Sequence, residues 1–361
     1  MKTQSIIVKP IEALDNALLY VEKKSSLAAA SLLVAILLMA CAILYVGFAQ
    51  LPIYHGIYYA ELASNPFQPA NPNAYRILTP LVAYLTGLRG DRIIILNAII
   101  ALSLLALVYH HSRKAAYSPA LSLAVTLMLA LSMPTLFTLF YGGYTDSTSY
   151  LLIFLMLVYR ERPLWFWLLF LLGLLNRESV VFLLPFFALL HWESLKSTGR
   201  FIRSMLFGLA AVILSYLLFR ALVNSHAMVK HSASFYLEPL SKDPLYWLRQ
   251  VANSYPLGFF SAFKLFWLLP LAAIFYALRR RAYIALALIL TPIICSAAQS
   301  VIALDTSRMI ALAFPSLLIA VCVIRKETGD DYLSVCVILL ALINLFVPQY
   351  YVTSNDVFLM R

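Results

Sequence analysis

Charged side chains are scarce in this chain: 12% of its 361 residues are Asp, Glu, Lys or Arg. A soluble domain carries about a quarter charged and about half apolar residues, so a chain that is 63% hydrophobic, with mean hydropathy +0.86, is not one. Cysteine is equally thin. Cys41, Cys295, Cys322 and Cys336 stand in apolar runs without CxxC or His-rich spacing, which excludes a disulfide framework or zinc motif and reads them as small buried hydrophobes. GxxxxGK[ST], GxGxxG after a strand and GxSxG are absent, so no soluble-nucleotide or hydrolase-elbow site is offered. His226 and His231 lie five apart and His110 and His111 fall in another loop, so no His/Cys metal site is predicted. A divalent cation is the one cofactor left open. Ten-residue segments with period-two alternation are missing too, which excludes a membrane barrel. The first 25 residues are polar and charged, with no signal-peptide pattern, and the first long apolar run is expected to anchor the chain.

What is present is a series of apolar runs matched to a hydrocarbon core of about 30 Å. They fall near 27–49, 92–109, 118–140, 145–159, 163–176, 179–192, 204–223, 258–278, 282–303, 308–324 and 332–350. The fold class is therefore all-α, a polytopic transmembrane helical bundle of about eleven spans. Three parts are expected: a cytoplasmic amphipathic segment 1–26, one transmembrane domain 27–350 and an external tail 351–361. With the N-terminus inside, the internal segments, among them "HHSRK", "RERP", "KSTGRFIR" and "RKETGDD", hold 16 of the 27 Lys and Arg. That asymmetry follows the positive-inside rule, and it accounts for the net charge of +11 without a nucleic-acid partner.

Runs 163–176 and 179–192 are short for a straight crossing. The polar "NRES" between them is expected to dip into the outer leaflet as a broken hairpin, tolerated there only where protein or a watery cavity receives it. Two outer loops, 50–91 and 224–257, are long enough to be structured. In the first, "RILTPLVAYLTGL" reads as a short juxtamembrane helix, and Tyr54, Tyr58 and Tyr59 suit the headgroup zone.

Charged groups at span ends are expensive without partners and therefore draw notice. Four clusters share the outer side: Glu61 with Tyr75 and Arg76; Asp146 in "YGGYTDS"; Asn176, Arg177 and Glu178 in "NRES"; and Asp305 with Arg308 in "LDTSRM". Each has a plainer reading. Asp146 sits where a helix dipole favours a carboxylate, with Thr145 placed to cap and Gly142 and Gly143 loosening the preceding helix end. "NRES" reads equally as a local ion pair, and Asp305 and Arg308, three apart, face one side of a helix. Their common side and their placement at span ends favour a site. Arginine holds phosphate through charge-assisted hydrogen bonds, and a carboxylate or imidazole takes a proton from a hydroxyl. An external site of this kind at the lipid boundary suits transfer from a lipid-linked phosphate donor.

The order of "YYAELASNPF…NAYRILTPLVAYL", "GYTDSTSYLLIFLML", "LLGLLNRESVVFLLPF" and "LDTSRMIALAFP" resembles the bacterial branch of the GT-C superfamily of polytopic glycosyltransferases, over roughly residues 27–320. The resemblance implies an enzyme of the bacterial inner membrane. Such an enzyme takes a sugar from a polyprenyl-phosphate donor and passes it to a lipid, glycan or protein acceptor outside the cytoplasm, typically with inversion. The family commonly has an acid just after the first span, in a stretch similar to "DGQFYY"; this chain reads "HGIYY", with His55 at that place. Glu61, Asp146 and His55 are thus the candidates for the base, and Arg76, Arg177 and Arg308 for phosphate binding, with Tyr75, Asn176, Glu178 and Asp305 in support. The alternatives are a flippase or transporter of lipid-linked glycans, an O-antigen-type polymerase, or a non-catalytic scaffold. A transporter needs polar residues along mid-span faces, and Asn97, Lys264, Gln299 and Asn344 are the main ones.

Overall fold

The computed structural model of the chain describes residues 2–68, 70–226, 243 and 246–360. In chain order its helices are α1 Lys2–Lys24, α2 Leu27–Val46, α3 His55–Ser64, α4 Leu78–Leu85, α5 Ile93–Lys114, α6 Pro119–Ala130, α7 Met133–Phe140 and α8 Asp146–Val158. They continue as α9 Pro163–Asn176, α10 Leu184–Leu195, α11 Thr198–His226, α12 Tyr246–Val251, α13 Tyr255–Phe263, α14 Leu268–Arg279 and α15 Tyr283–Ala303. The last are α16 Thr306–Ile310, α17 Phe314–Thr328 and α18 Asp330–Phe346, followed by an antiparallel hairpin of β1 Tyr350–Thr353 and β2 Asp356–Leu359.

Among the described residues seven helices are long and apolar enough to cross a membrane, and the chain is an integral membrane protein. An eighth crossing is added if α6 and α7 are one span bent by 48°. That bend falls where α6 stops at Ala130 and α7 restarts with Pro134 in its first turn, a place where proline lacks only a hydrogen bond that no carbonyl would accept. The shorter apolar helices α8 and α9 pack against each other, and α18 has 17 residues. The segment 179–192, expected to be too short, is not. A 3-10 turn over Glu178–Leu183 continues into α10 as one 18-residue apolar helix, and the stretched 3-10 rise brings it to about 30 Å.

The bundle has two poles. At one, Glu22 of α1 receives Arg113 of α5 (2.8 Å), Asp330 caps the start of α6 through the N–H of Ser118 (2.6 Å), and Arg325 reaches the carbonyl of Ala115 (3.3 Å). Arg280, after α14, pairs with Glu327 at 2.9 Å beside them, and His191 of α10 links the break before α9 to α11 through Arg160 O (2.8 Å) and Ser204 Oγ (2.7 Å). At the other pole lie α3, α4, the breaks before α8 and after α9, the start of α16 and the C-terminal hairpin. The segment Thr306–Thr328 is the central one, 78% buried inside the protein, whereas Thr198–Ser225 of α11 is only 6% buried and faces outward.

Two sequence expectations are corrected here. Cys41, Cys322 and Cys336 are exposed and Cys295 half-buried, because in a bilayer an apolar run has no obligation to turn its small side chains inward; lipid is as apolar as the core. The expected tail 351–361 is a folded hairpin: Met360 is buried and its N–H bonds Gln349 O at 2.9 Å, while the Val352 N–H bonds Ser307 Oγ at 3.0 Å. His231 and much of the loop 224–257 lie outside the described residues.

Candidate functional site

Three helix breaks and one loop converge at the hairpin pole. Between α7 and α8 the chain turns through Gly142 and Gly143, and these glycines do not loosen a helix end as expected. They let the first outer loop come into backbone contact. Ile53 N–H bonds Gly142 O at 3.2 Å, and a Cβ on Gly56 would collide with that same carbonyl. Gly143, at φ +90°, would set a Cβ 2.8 Å from Gly56 O, so both the left-handed backbone and the close approach require glycine. This contact seats His55, at the start of α3, beside Tyr144, with ring centroids 6.4 Å apart.

Asp146 opens α8 and is buried. Thr145 does not cap that helix: its hydroxyl is buried without a partner, and its carbonyl instead accepts from Asn176 Nδ2 at 2.9 Å. The same Asn176 amide donates to Ser149 Oγ at 2.8 Å, and its Oδ1 receives Thr79 at 2.5 Å. Asn176 therefore ties α8, α9 and α4 together beneath the charges. The next residue, Arg177, leaves α9 in extended backbone (φ −163°, ψ 126°), which turns its side chain inward. The return is tight because Gly173 lies against Val180, 3.2 Å from where a Cβ would be.

Arg177 Nη1 pairs with Asp146 Oδ1, and Arg308 Nη1 stands 3.5 Å from Oδ2 of the same carboxylate. Arg308 also pairs with Asp305 through Nη2, as the i,i+3 spacing predicts, and Asp305 in turn accepts from the Tyr351 hydroxyl. Burial pushes the Tyr351 phenol up to about 12, so it stays a donor. The Arg308 guanidinium lies 4.9 Å from the Tyr144 ring and 5.3 Å from that of Phe137, within cation–π range. Among the described residues the buried Nε–H groups of both Arg177 and Arg308 have no partner. An unmet buried donor on a charged group costs on the order of 1–3 kcal/mol or more, so each of these two guanidinium groups calls for an acceptor.

This charged floor has a more accessible rim. Arg76 Nε bonds Glu178 Oε2 at 3.0 Å and its Nη1 reaches Tyr59 OH at 2.9 Å; both partners of that ion pair keep about a third of their side-chain surface open. His55 is exposed. Burial on its inner face lowers its pKa below the usual histidine value, and the charges of Arg308, Arg76 and Arg177 lower it further. It is thus neutral near pH 7 and able to accept a proton. Tyr75 hydrogen-bonds Asn224 on α11, and Arg220 of that helix stacks 4.3 Å from the Tyr75 ring.

The structure therefore gathers Asp146, Arg177, Arg308, Asp305, Asn176, Arg76, Glu178 and His55 into one region. Glu61 stands apart, exposed, with its carboxylate on Asn71 Nδ2 at 3.2 Å. On α3, Tyr59 turns inward, and Glu61, two residues on and about 200° round the helix, turns away. Sequence reasoning missed Tyr59, Tyr144, Tyr351 and Arg220. Arg220 carried a readable signal, a charge inside an apolar run; Tyr351 carried none, because only the hairpin brings it back. Both oxygens of Asp146 face guanidinium groups and Asp305 serves Arg308 and Tyr351, so this donor set does not suit a divalent cation, which wants free carboxylate, carbonyl and water oxygens. Among the described residues no three His, Cys, Asp or Glu side chains form a metal-sized group. Comparison of the chain with family models, with curated proteins and with solved structures finds no match in any of the three.

Proposed function

We propose that this protein is an integral membrane glycosyltransferase, similar to the GT-C enzymes, that moves a sugar from a polyprenyl-phosphate donor to an acceptor hydroxyl. In this reading the chain crosses the bacterial inner membrane eleven times and the hairpin pole faces outside. The basic breaks gathered at the opposite pole support that orientation. The observation that carries the reading is the pair of buried arginines on Asp146 whose Nε–H groups find no acceptor among the described residues. A phosphate oxygen meets that need, and the charge-assisted bonds it forms are among the strongest available.

The roles follow from position. Asp146 holds Arg177 and Arg308 in place, and both arginines take the donor phosphate; Asp305 and Tyr351 orient Arg308. Arg76, kept by Glu178 and Tyr59, extends the positive rim. The acceptor oxygen attacks the anomeric carbon, and the bond from that carbon to the phosphate oxygen breaks. The electron pair leaves with polyprenyl phosphate, whose growing charge the arginines stabilise, and the hydroxyl proton passes to neutral His55. Each of the mid-span polar residues makes a contact inside the bundle: Lys264 bonds the carbonyl of Asn344 (2.8 Å), Gln299 meets Met309 (3.2 Å) and Asn97 meets Ser147 (3.4 Å).

The test is incubation of purified protein with a panel of polyprenyl-phosphate sugars and hydroxyl acceptors, scored by mass spectrometry for sugar release or transfer. Turnover of one donor, lost in Arg177→Gln, is expected. Tight lipid binding without turnover for any donor would leave the transporter or scaffold reading in its place.

A further inference from the structure

The basic pole carries an opening that the Asp146 site does not use. A groove of about 680 Å³ runs between α9 and α11, a volume in the range of lipid- and drug-sized sites, about 300–1,000 Å³. Its mouth is at Pro163, the far end of α9 from Asn176, so about 20 Å of helix separates that mouth from the charged floor; α9 lines the groove as far as Leu171.

Its two ends differ in chemistry. Arg200 and Arg203 line one end, in the first two turns of α11 where the helix dipole also favours an anion. Both are exposed, and among the described residues neither has a carboxylate partner. Glu161 is the one acid in the lining. Apart from Ser204 and Ser215 the rest is apolar, with Leu168, Trp167, Phe207 and Val212 running toward Ser215. From Arg200 to Ser215 the helix rises about 22 Å, more than one leaflet of a core about 30 Å thick. Trp167 lies flat against Gly208, where any Cβ would collide with the indole. The polar groups beneath are already matched: the indole N–H donates to Ser204 Oγ at 2.9 Å and His191 Nε2 shares that hydroxyl at 2.7 Å. The groove wall thus offers a chain no hydrogen bonds and the mouth offers an anion two guanidinium groups, on a helix that faces lipid along most of its length.

We propose that this groove holds a membrane phospholipid with an anionic headgroup, its phosphate at Arg200 and Arg203 and one acyl chain along Trp167 and Phe207. Nothing in this depends on Asp146 or on the transfer reading. The test is native mass spectrometry of the full chain, released from detergent after equilibration with phosphatidylglycerol or phosphatidylcholine of identical chains. Phosphatidylglycerol is expected to be retained about tenfold over phosphatidylcholine, and R200Q/R203Q to remove most of that preference. Ala211→Trp, which fills the groove from α11, lowers retention of both lipids, and glycerol 3-phosphate as a headgroup without chains displaces neither. Equal retention of the two lipids by the native chain overturns the proposal, as does an unchanged preference in R200Q/R203Q. Unchanged retention in Ala211→Trp, or displacement by glycerol 3-phosphate, overturns the acyl-chain placement.

Discussion

Lys264 and Arg308 are both buried cations at breaks in apolar helices, and their surroundings differ in how fully the donors are met. Lys264 sits between α13 and α14 at φ +50°, and its ammonium reaches Asn344 O at 2.8 Å, Tyr45 OH at 3.1 Å and Val347 O at 3.2 Å. An ammonium has three N–H groups, so these partners match all of them and clasp α2 and α18 to the break. Arg308, with Arg177, has a carboxylate partner yet keeps an Nε–H that no described residue accepts. Burying a charge costs several kcal/mol before any pairing. Where the pairing is complete the charge serves the fold; where it is left incomplete beside an accessible rim, the remaining donors are the ones the proposed phosphate would meet.

The sharpest way to break that distinction is Asp146→Asn. It leaves two buried guanidinium groups facing each other, and is expected to abolish transfer and to lower unfolding stability by about 3 kcal/mol, read by donor consumption and thermal unfolding; unchanged transfer would sink the assignment. Next in size is His55→Gln, with transfer falling by about 10². Transfer by the native protein should fall as pH drops through a value below 6.5, since protonation removes the acceptor, and His55→Gln should lose that limb. Stability follows the same sign: the unfolded histidine binds its proton near 6.5 and the folded one only at lower pH, so stability falls as pH drops below about 6.5. Lys264→Met sharpens the comparison from the other side. It is expected to cost about 2 kcal/mol of stability by orphaning buried carbonyls, with turnover per folded molecule unchanged; a drop in turnover would show that the clasp reaches the site. The smallest effect is for Tyr351→Phe, which removes one hydrogen bond to Asp305 and should cost about 1 kcal/mol, or roughly fivefold in transfer.

Much of this architecture is legible in the chain. Each of the eleven apolar runs corresponds to a helix or a helix pair, and the Asp305–Arg308 pair follows from its spacing. The break at "NRES" is where helix α9 ends, although the segment after it gains length from a 3-10 turn that no composition rule announces. Residues of the site far apart in the chain, such as Asp146 and Arg308, 162 positions apart, were singled out one by one; their meeting was not readable. Gly142 and Gly143 show why. As a pair they read as flexibility, and only the arrival of Gly56 against them reveals a close backbone contact.

The sequence by itself determined that this protein lives in a membrane, that it is helical, and which few charges had to be explained, because hydrocarbon accepts neither unpaired backbone nor unpaired charge. Only the tertiary structure decided which of those charges are satisfied. Pairing depends on side chains from α8, α9, α16 and a C-terminal hairpin arriving at one point, and a hydrophobic run carries no record of which neighbour it will pack against, since lipid and protein interior are equally apolar to it.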